Sequence, residues 1–325
     1  MELVVTPDNQ PPPGVALGTI RAADGVGLRV ARWTPSRPPC GTLLIVTGRS
    51  EFIEKYFETV GEALERGFVV VAFDWRGQGL SDRELSNRFK GHIDDFALYE
   101  RDLSAVAEQV LGPFCPQPWF ALGHSMGAAV LLEQARRRRS PFARMVLTAP
   151  MIDIHVPHPD LARGLAVLLD AVGLGGAFVP SGGNRPIVAR PFEGNPLTAD
   201  RVRFARIKTI LEAEPRLGIG DPTIAWVHAA FRAMRKFADP DYPRLITTPT
   251  LVVAAGEDRV VSTPAIERFS ARLKAGRFVT LSRARHEILL ERDEVRSQFW
   301  AAFDAFVPGA AGEAEALLAR YGRAS

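Results

Sequence analysis

The sequence predicts an α/β fold: a mostly parallel central sheet flanked by helices and interrupted once by a helical insertion. Three observations predict it. Short apolar runs rich in β-branched and aromatic residues alternate with stretches of helical apolar spacing over most of the 325 residues. The alternation lapses from residue 151 to 246 and then resumes. No internal repeat or low-complexity tract points instead to a solenoid or a disordered chain. The length corresponds to about two typical domains of roughly 150 residues, and 46% hydrophobic residues suffice for a large core.

Taken in order, residues 15–20 and 28–33 flank the turn Ala23-Asp24-Gly25 and read as a hairpin forming an antiparallel sheet edge. Residues 42–46, 69–73, 120–122, 145–148, 251–254 and 278–281 read as core strands, because a strand covered on both faces is apolar along its whole length. Residues 54–66, 94–111, 126–138, 264–274 and 293–306 carry apolar side chains at helical spacing and serve as crossover helices. Residues 151–246 hold helical stretches, glycines and prolines but no convincing strand. The expected organisation is thus a core of residues 1–150 and 247–325, with 151–246 as a helical cap. The Ala- and Glu-rich tail 309–325 reads as a short helix or a frayed end, with no function assigned.

Charge and cysteine content narrow the function classes. Forty Lys and Arg against thirty-seven Asp and Glu leave a net charge of only +3, too even a balance for a dedicated nucleic-acid binder. Cys40 and Cys115 supply neither a disulfide framework nor a cysteine zinc site, and a reduced, intracellular setting is compatible with them. The N-terminus has no basic region and sets Asp8 and three consecutive prolines where a signal peptide needs an apolar core. Residues 161–179, the longest apolar stretch, are broken by Arg163, Asp170 and several glycines, so no membrane span is expected.

Gly123-His124-Ser125-Met126-Gly127 is a G-x-S-x-G pentapeptide between an apolar run and a helical pattern. A sharp strand-to-helix turn exposes the serine, and the glycines on either side remove side chains that would clash with the neighbouring strand and helix. A serine hydroxyl is a poor nucleophile at neutral pH, so it needs a general base, and the base needs an orienting carboxylate. Asp258 follows the run 251–254 and His286 follows the run 278–281. This gives the chain order serine, acid, histidine, with all three at strand C-terminal ends. Glu257 is a weaker rival for the acid. His124 is expected in the packing of the turn or in a local hydrogen bond. His92, His155, His158 and His228 lack metal-ligand spacing, so neither a metal nor a cofactor is expected.

Acyl transfer also requires N–H donors aimed at the developing oxyanion. Met126 N–H is one expected donor. The second is Arg49 N–H, in the loop Thr47-Gly48-Arg49-Ser50-Glu51 behind the run 42–46. The Arg49 guanidinium has two open readings, contact with an anionic substrate group or pairing with Glu51 or Asp74. Residues 74–81, polar and glycine-rich directly after a buried strand, are expected to form a structural loop at the site's rim.

These residues resemble the lysophospholipase and monoacylglycerol lipase branch of the α/β-hydrolase superfamily, most closely bacterial lysophospholipases, over most of residues 41–300. The resemblance rests on Gly48-Arg49-Ser50-Glu51 with Lys55-Tyr56, on Phe73-Asp74-Trp75-Arg76-Gly77-Gln78-Gly79-Leu80-Ser81, and on the serine pentapeptide. Leu147-Thr148-Ala149-Pro150-Met151 and Gly218-Ile219-Gly220-Asp221-Pro222-Thr223 with Trp226 add to it. Monoacylglycerol lipases usually place His-Gly before the oxyanion donor; Thr47-Gly48 here is a departure that favours the lysophospholipase side.

The resemblance implies a serine hydrolase cleaving single-chain acyl esters, lysophospholipid or monoacylglycerol, through an acyl-enzyme. The alternatives are a proline-type aminopeptidase, with Glu193, Glu212, Glu214 or Asp221 recruited to hold a substrate ammonium, and a noncatalytic binding protein. Epoxide hydrolases and haloalkane dehalogenases carry Asp where this chain has Ser125. Residues 161–179 are open between an acyl-chain tunnel or membrane contact and burial against the core. Twelve cations and ten anions in residues 151–245 predict no strong attraction to anionic lipid. The cations of residues 136–139 are expected to complement a helix C-terminus. The expected setting is cytoplasmic, with peripheral contact at the inner membrane face left open along with oligomeric state.

Overall fold

The computed structural model describes residues 2–309; from residue 310 onward the tail read above lies outside them. The strands are β1 Val15–Arg21, β2 Gly27–Trp33, β3 Gly41–Val46, β4 Phe68–Phe73, β5 Trp119–His124, β6 Arg144–Thr148, β7 Thr250–Ala255 and β8 Gly276–Leu281. They form one sheet in the order β1-β2-β4-β3-β5-β6-β7-β8. β1 and β2 pair antiparallel from Val15↔Trp33 to Arg21↔Gly27, and β2 pairs antiparallel with β4. All later pairings are parallel. Every residue of β3, β4 and β7 is buried, which is why Val69-Val70-Val71 runs unbroken, whereas the edge strand β1 is largely exposed and mixes Gly18 and Thr19 into its pattern.

The longer helices are α1 Phe57–Glu65, α2 Ala97–Val106, α3 Ser125–Arg136, α4 Pro159–Leu169, α5 Arg201–Ala213, α6 Ile224–Phe237, α7 Thr263–Ser270 and α8 Asp293–Phe306. α7 ends before the expected residue 274. The chain leaves it in tight turns, Arg272 N–H to Phe269 O and Leu273 N–H to Ser270 O, that bring Leu273 onto Gly276 at the start of β8. At the end of α3, where the cations of residues 136–139 are expected to complement the helix terminus, Arg136 and Arg137 also turn back to Glu133, at 3.0 and 2.9 Å.

Between β6 and β7 the chain is helical, with α4, α5 and α6 and, among the described residues, only isolated β-bridges. Two caps start the larger helices: the Asp200 side chain accepts from Arg203 N–H, and the Thr223 hydroxyl accepts from Trp226 N–H. α6 buries Trp226, Phe231 and Phe237 in the main core, while α5 buries Phe204, Ile207 and Ile210 with Phe52 and Leu290. α4 differs: Ala166 is its one buried residue, and Leu161 and Leu168 are 69% and 60% exposed.

A buried ion cluster fixes the antiparallel edge to the parallel sheet. Arg29 on β2 donates to both Glu54 oxygens at 2.7 Å and to Asp74 at 2.7 Å, all three side chains being fully buried. Asp74 also accepts the N–H groups of Ile53 and Leu80, and Trp75 Nε1–H donates to Thr47 O at 2.8 Å. Residues 74–81 therefore brace the loop after β3, the structural role expected of them. Removing the cation strands two carboxylates in the core. Arg29→Leu is expected to cost about 3–5 kcal/mol, seen as a lowered midpoint in urea unfolding; a midpoint equal to that of the unaltered protein would contradict this.

Candidate active site

β5 ends at His124 and α3 begins at Ser125, with no residue between to make the turn. Ser125 takes up the bend in the left-handed region, at φ +49°. The flanking glycines are required by contact. A Cβ on Gly127 would lie 2.4 Å from the carbonyl oxygens of Val46 and Thr47, and one on Gly123 would lie 2.6 Å from Leu131. The bend sets Ser125 at the positive end of α3 and at the C-terminal edge of the sheet.

The other two residues come to the same edge from β7 and β8. His286 Nδ1–H donates to Asp258 Oδ2 at 2.9 Å, which leaves Nε2 to accept from the Ser125 hydroxyl at 3.1 Å. Asp258 Oδ1 accepts from Val260 and Val261 N–H at 2.8 and 2.9 Å. Glu257 is exposed, and among the described residues only its backbone N–H is tied, to Ala284 O. Burial works against the imidazolium of His286, but the charge and hydrogen bond of Asp258 and the charges of Glu287 and Glu51 outweigh it and hold its pKa above the ordinary histidine value. Burial likewise pushes Asp258 up, and His286 with the two N–H groups pulls it below the usual carboxylate range.

Met126 N–H lies in the first turn of α3, where backbone donors lack an intrahelical acceptor. In the loop after β3, Gly48 N–H donates to Glu51 and Ser50 N–H donates to Gln78 at 2.5 Å. Arg49 N–H between them has no partner among the described residues. The Arg49 side chain does not pair with Glu51 or Asp74, one of the two readings left open above. Glu51 is engaged by Lys55, Tyr56 and Gly48, and Asp74 by Arg29. Arg49 Nη2 donates instead to Gly220 O at 2.8 Å, and the guanidinium stands 5.1 Å over the Trp226 ring.

A buried network behind these residues has no counterpart in the sequence reading. Lys55 Nζ bridges Glu51 and Glu287, at 2.7 Å from the latter, and Tyr56 O–H donates to Glu51 at 2.6 Å. His124 accepts or donates at Nδ1 with the Thr148 hydroxyl at 3.1 Å, and its Nε2 lies 3.4 Å from Glu287. Burial lowers the His124 pKa to about 3, so the ring is neutral. Glu51, His124 and Glu287 bring one ligand atom each within 4.8 Å of one another. Their arrangement nevertheless fits an ammonium, because Lys55 already stands between the two carboxylates. The signals were present in sequence: Lys55 is one helical turn from Glu51, and Glu287 adjoins His286.

Ser125 and His286 open on a cavity of about 350 Å³ reaching under residues 151–246. Ile187, Val188, Leu197, Ile207 and Leu211 give it apolar lining, while Arg49, Arg190 and Arg259 also face it. Pairing of Ser, His and Asp in this geometry can transfer a proton from the serine during attack on a carbonyl.

Residues 37–293 match a family described as serine aminopeptidase, S33 (Hydrolase_4). The chain is 33% identical over 271 residues to the lysophospholipase L2 of Escherichia coli K12, covering 78% of this chain and 76% of that one. It is 32% identical over 146 residues to the monoglyceride lipase of Rattus norvegicus, covering 45% and 46%. Its fold resembles the crystal structure of a soluble variant of the monoglyceride lipase of Saccharomyces cerevisiae. The TM-score is 0.72 at 18% identity, over 93% of this chain and 97% of the other.

The charges around His286 give a prediction. The groups facing it are Asp258, Ser125, His124, Glu287 and Glu51, the last two held by Lys55. Glu287→Gln removes a negative charge while leaving an acceptor for Lys55. The imidazolium becomes less stable, so the acid limb of kcat/KM for ester turnover is expected to move to lower pH. An unmoved limb in a pH-rate profile would contradict this coupling.

Proposed function

The chain belongs to the serine aminopeptidase S33 family of hydrolases, and from that membership we propose that it cleaves single-chain acyl lipids, lysophospholipid or monoacylglycerol, through an acyl-enzyme on Ser125. The observation that carries the reading is the hydrogen-bonded series Ser125–His286–Asp258 opening on a cavity with apolar lining. The names of the relatives support the lipid substrate.

In the proposed reaction His286 Nε2 takes the Ser125 proton as Oγ adds to the ester carbonyl. Arg49 and Met126 N–H receive the oxyanion, and the imidazolium, steadied by Asp258, returns the proton to the departing alcohol. Water, activated by the same nitrogen, then releases the fatty acid. Residues 151–246 act as the cap, and the apolar lining they contribute accepts the acyl chain.

The aminopeptidase alternative has weaker support. Glu193 is paired with Arg201 and Glu214 with Arg216, both away from the cavity; Asp221, which does line it, accepts Gly183 N–H at 3.0 Å and leans on Arg190 at 3.7 Å. Wild type and Ser125→Ala compared on lysophosphatidylcholine, monoacylglycerol and a prolyl amide test the reading. Fatty-acid release that falls at least about 10³-fold in the variant, with thermal unfolding little changed, is expected. Serine-dependent amide cleavage alone would overturn it.

The exposed apolar face of α4 and its extension, with Leu161, Leu168 and Val172 each at least 60% exposed, supports peripheral contact with a bilayer. No helix among the described residues is long and apolar enough to cross a membrane. Two buried leucines contribute about 1.5–3 kcal/mol each. Leu161→Asp with Leu168→Asp should therefore lower co-sedimentation with phosphatidylcholine vesicles at least tenfold, and undiminished binding would contradict the contact.

A further inference from the structure

Each of the buried arginines Arg29, Arg76, Arg203 and Arg296 meets at least one carboxylate. Arg49, half-buried at the cavity, has no carboxylate within ion-pair distance among the described residues. Its polar contacts are one carbonyl, Gly220 O, and the face of Trp226, and its Nε is buried without a partner. Burial draws the guanidinium down to about 10, so it is still a cation at neutral pH. The charge of Asp221 acts on it only from beyond ion-pair distance, and an anion supplied by a ligand at the guanidinium offsets more of the cost of burying the cation.

The charges of the cavity agree. Its four cations are Arg49, Lys55, Arg190 and Arg259, against the two carboxylates Asp221 and Glu287. Lys55 and Glu287 hold one another, and Arg190 leans on Asp221. Arg49 and Arg259 are left with no ion pair to a carboxylate among the described residues. The planar guanidinium fork matches the oxygens of a phosphate.

Resting on the acyl-ester reading above, we propose that Arg49 binds the head-group phosphate of the substrate, so that the site selects a single-chain lipid carrying a phosphodiester over a neutral monoacylglycerol. One residue then serves both ends of the substrate's polar part: its backbone N–H faces the ester carbonyl and its side chain reaches the phosphate of the leaving alcohol. In a lysophospholipid the ester and the phosphate are separated by a glycerol unit, a span comparable to an extended arginine side chain. Ile187, Val188 and Leu211 take the acyl chain, and Arg259 adds positive potential from the cavity wall.

The test compares lysophosphatidylcholine with monoacylglycerol of the same acyl chain, in turnover and in binding of short, monomeric forms to the Ser125→Ala protein. Wild type should prefer the phospholipid. Arg49→Gln, which preserves the backbone N–H, should lower the ratio of kcat/KM values at least tenfold, with Arg49→Lys between the two. In the Ser125→Ala background, Arg49→Gln should weaken the phospholipid at least tenfold more than the monoacylglycerol. Ratios within threefold of the unaltered protein in both assays would overturn the proposal even with both lipids turned over. Loss of Ser125-dependent turnover of both would instead sink the hydrolytic reading and leave the binding assay to decide on Arg49. Inorganic phosphate bound as tightly as the short phospholipid would overturn the head group as the source of the anion. Should Arg49→Gln fail to fold, a wild-type protein without preference in either assay overturns it as well.

Discussion

The Lys55 ammonium, held between Glu51 and Glu287, joins the segments on which the site depends. Glu51 belongs to the loop after β3 and also takes Gly48 N–H and the Tyr56 hydroxyl, which fixes the backbone on either side of Arg49. Glu287 follows His286 directly, so the same ammonium constrains the loop that presents the imidazole. His124, adjoining Ser125, packs against His286 with ring centroids 4.8 Å apart and lies against the two carboxylates. A buried ion group of this kind gives little net stability, since desolvation offsets most of the attraction. What it provides is relative position: the loop after β3, His286 and Ser125, from distant parts of the chain, are held together around one charge.

That arrangement also accounts for the charge left over in the cavity. Because Glu51 and Asp74 are committed to Lys55 and Arg29, Arg49 is free of both and turns toward Gly220 and Trp226 at the insertion. The cavity thereby combines an apolar wall with positive charge from Arg49 and Arg259, the division on which the proposed head-group contact rests. Outside the cavity, α4 presents Leu161 and Leu168 outward.

The fold was legible because its strands are covered on both faces. Val69-Val70-Val71 and Leu251-Val252-Val253 are unbroken apolar runs for that reason, and the hairpin was marked by Asp24-Gly25. Chain order and strand ends were enough to bring Ser125, Asp258 and His286 together. The choice of Asp258 over Glu257 follows from the two N–H groups of Val260 and Val261, which orient the former. Arg49 was less legible, because what removes Glu51 and Asp74 from its reach is Lys55, itself held from the far side by Glu287, and Arg29, contacts that only the folded chain brings together. The apolar pattern of α4 fitted burial and exposure equally. Periodicity reports which residues are apolar; only packing reports what covers them.

Trapping the acyl-enzyme tests the central claim most directly. Protein turning over lysophosphatidylcholine is quenched in acid within its first turnovers, digested and mapped by mass spectrometry. The account predicts one acyl group, of the mass of the substrate's chain, on the peptide containing Ser125, accumulating in proportion to enzyme. An acyl group on another residue, or protein that carries no acyl group at any quench time while fatty acid is released, would contradict it.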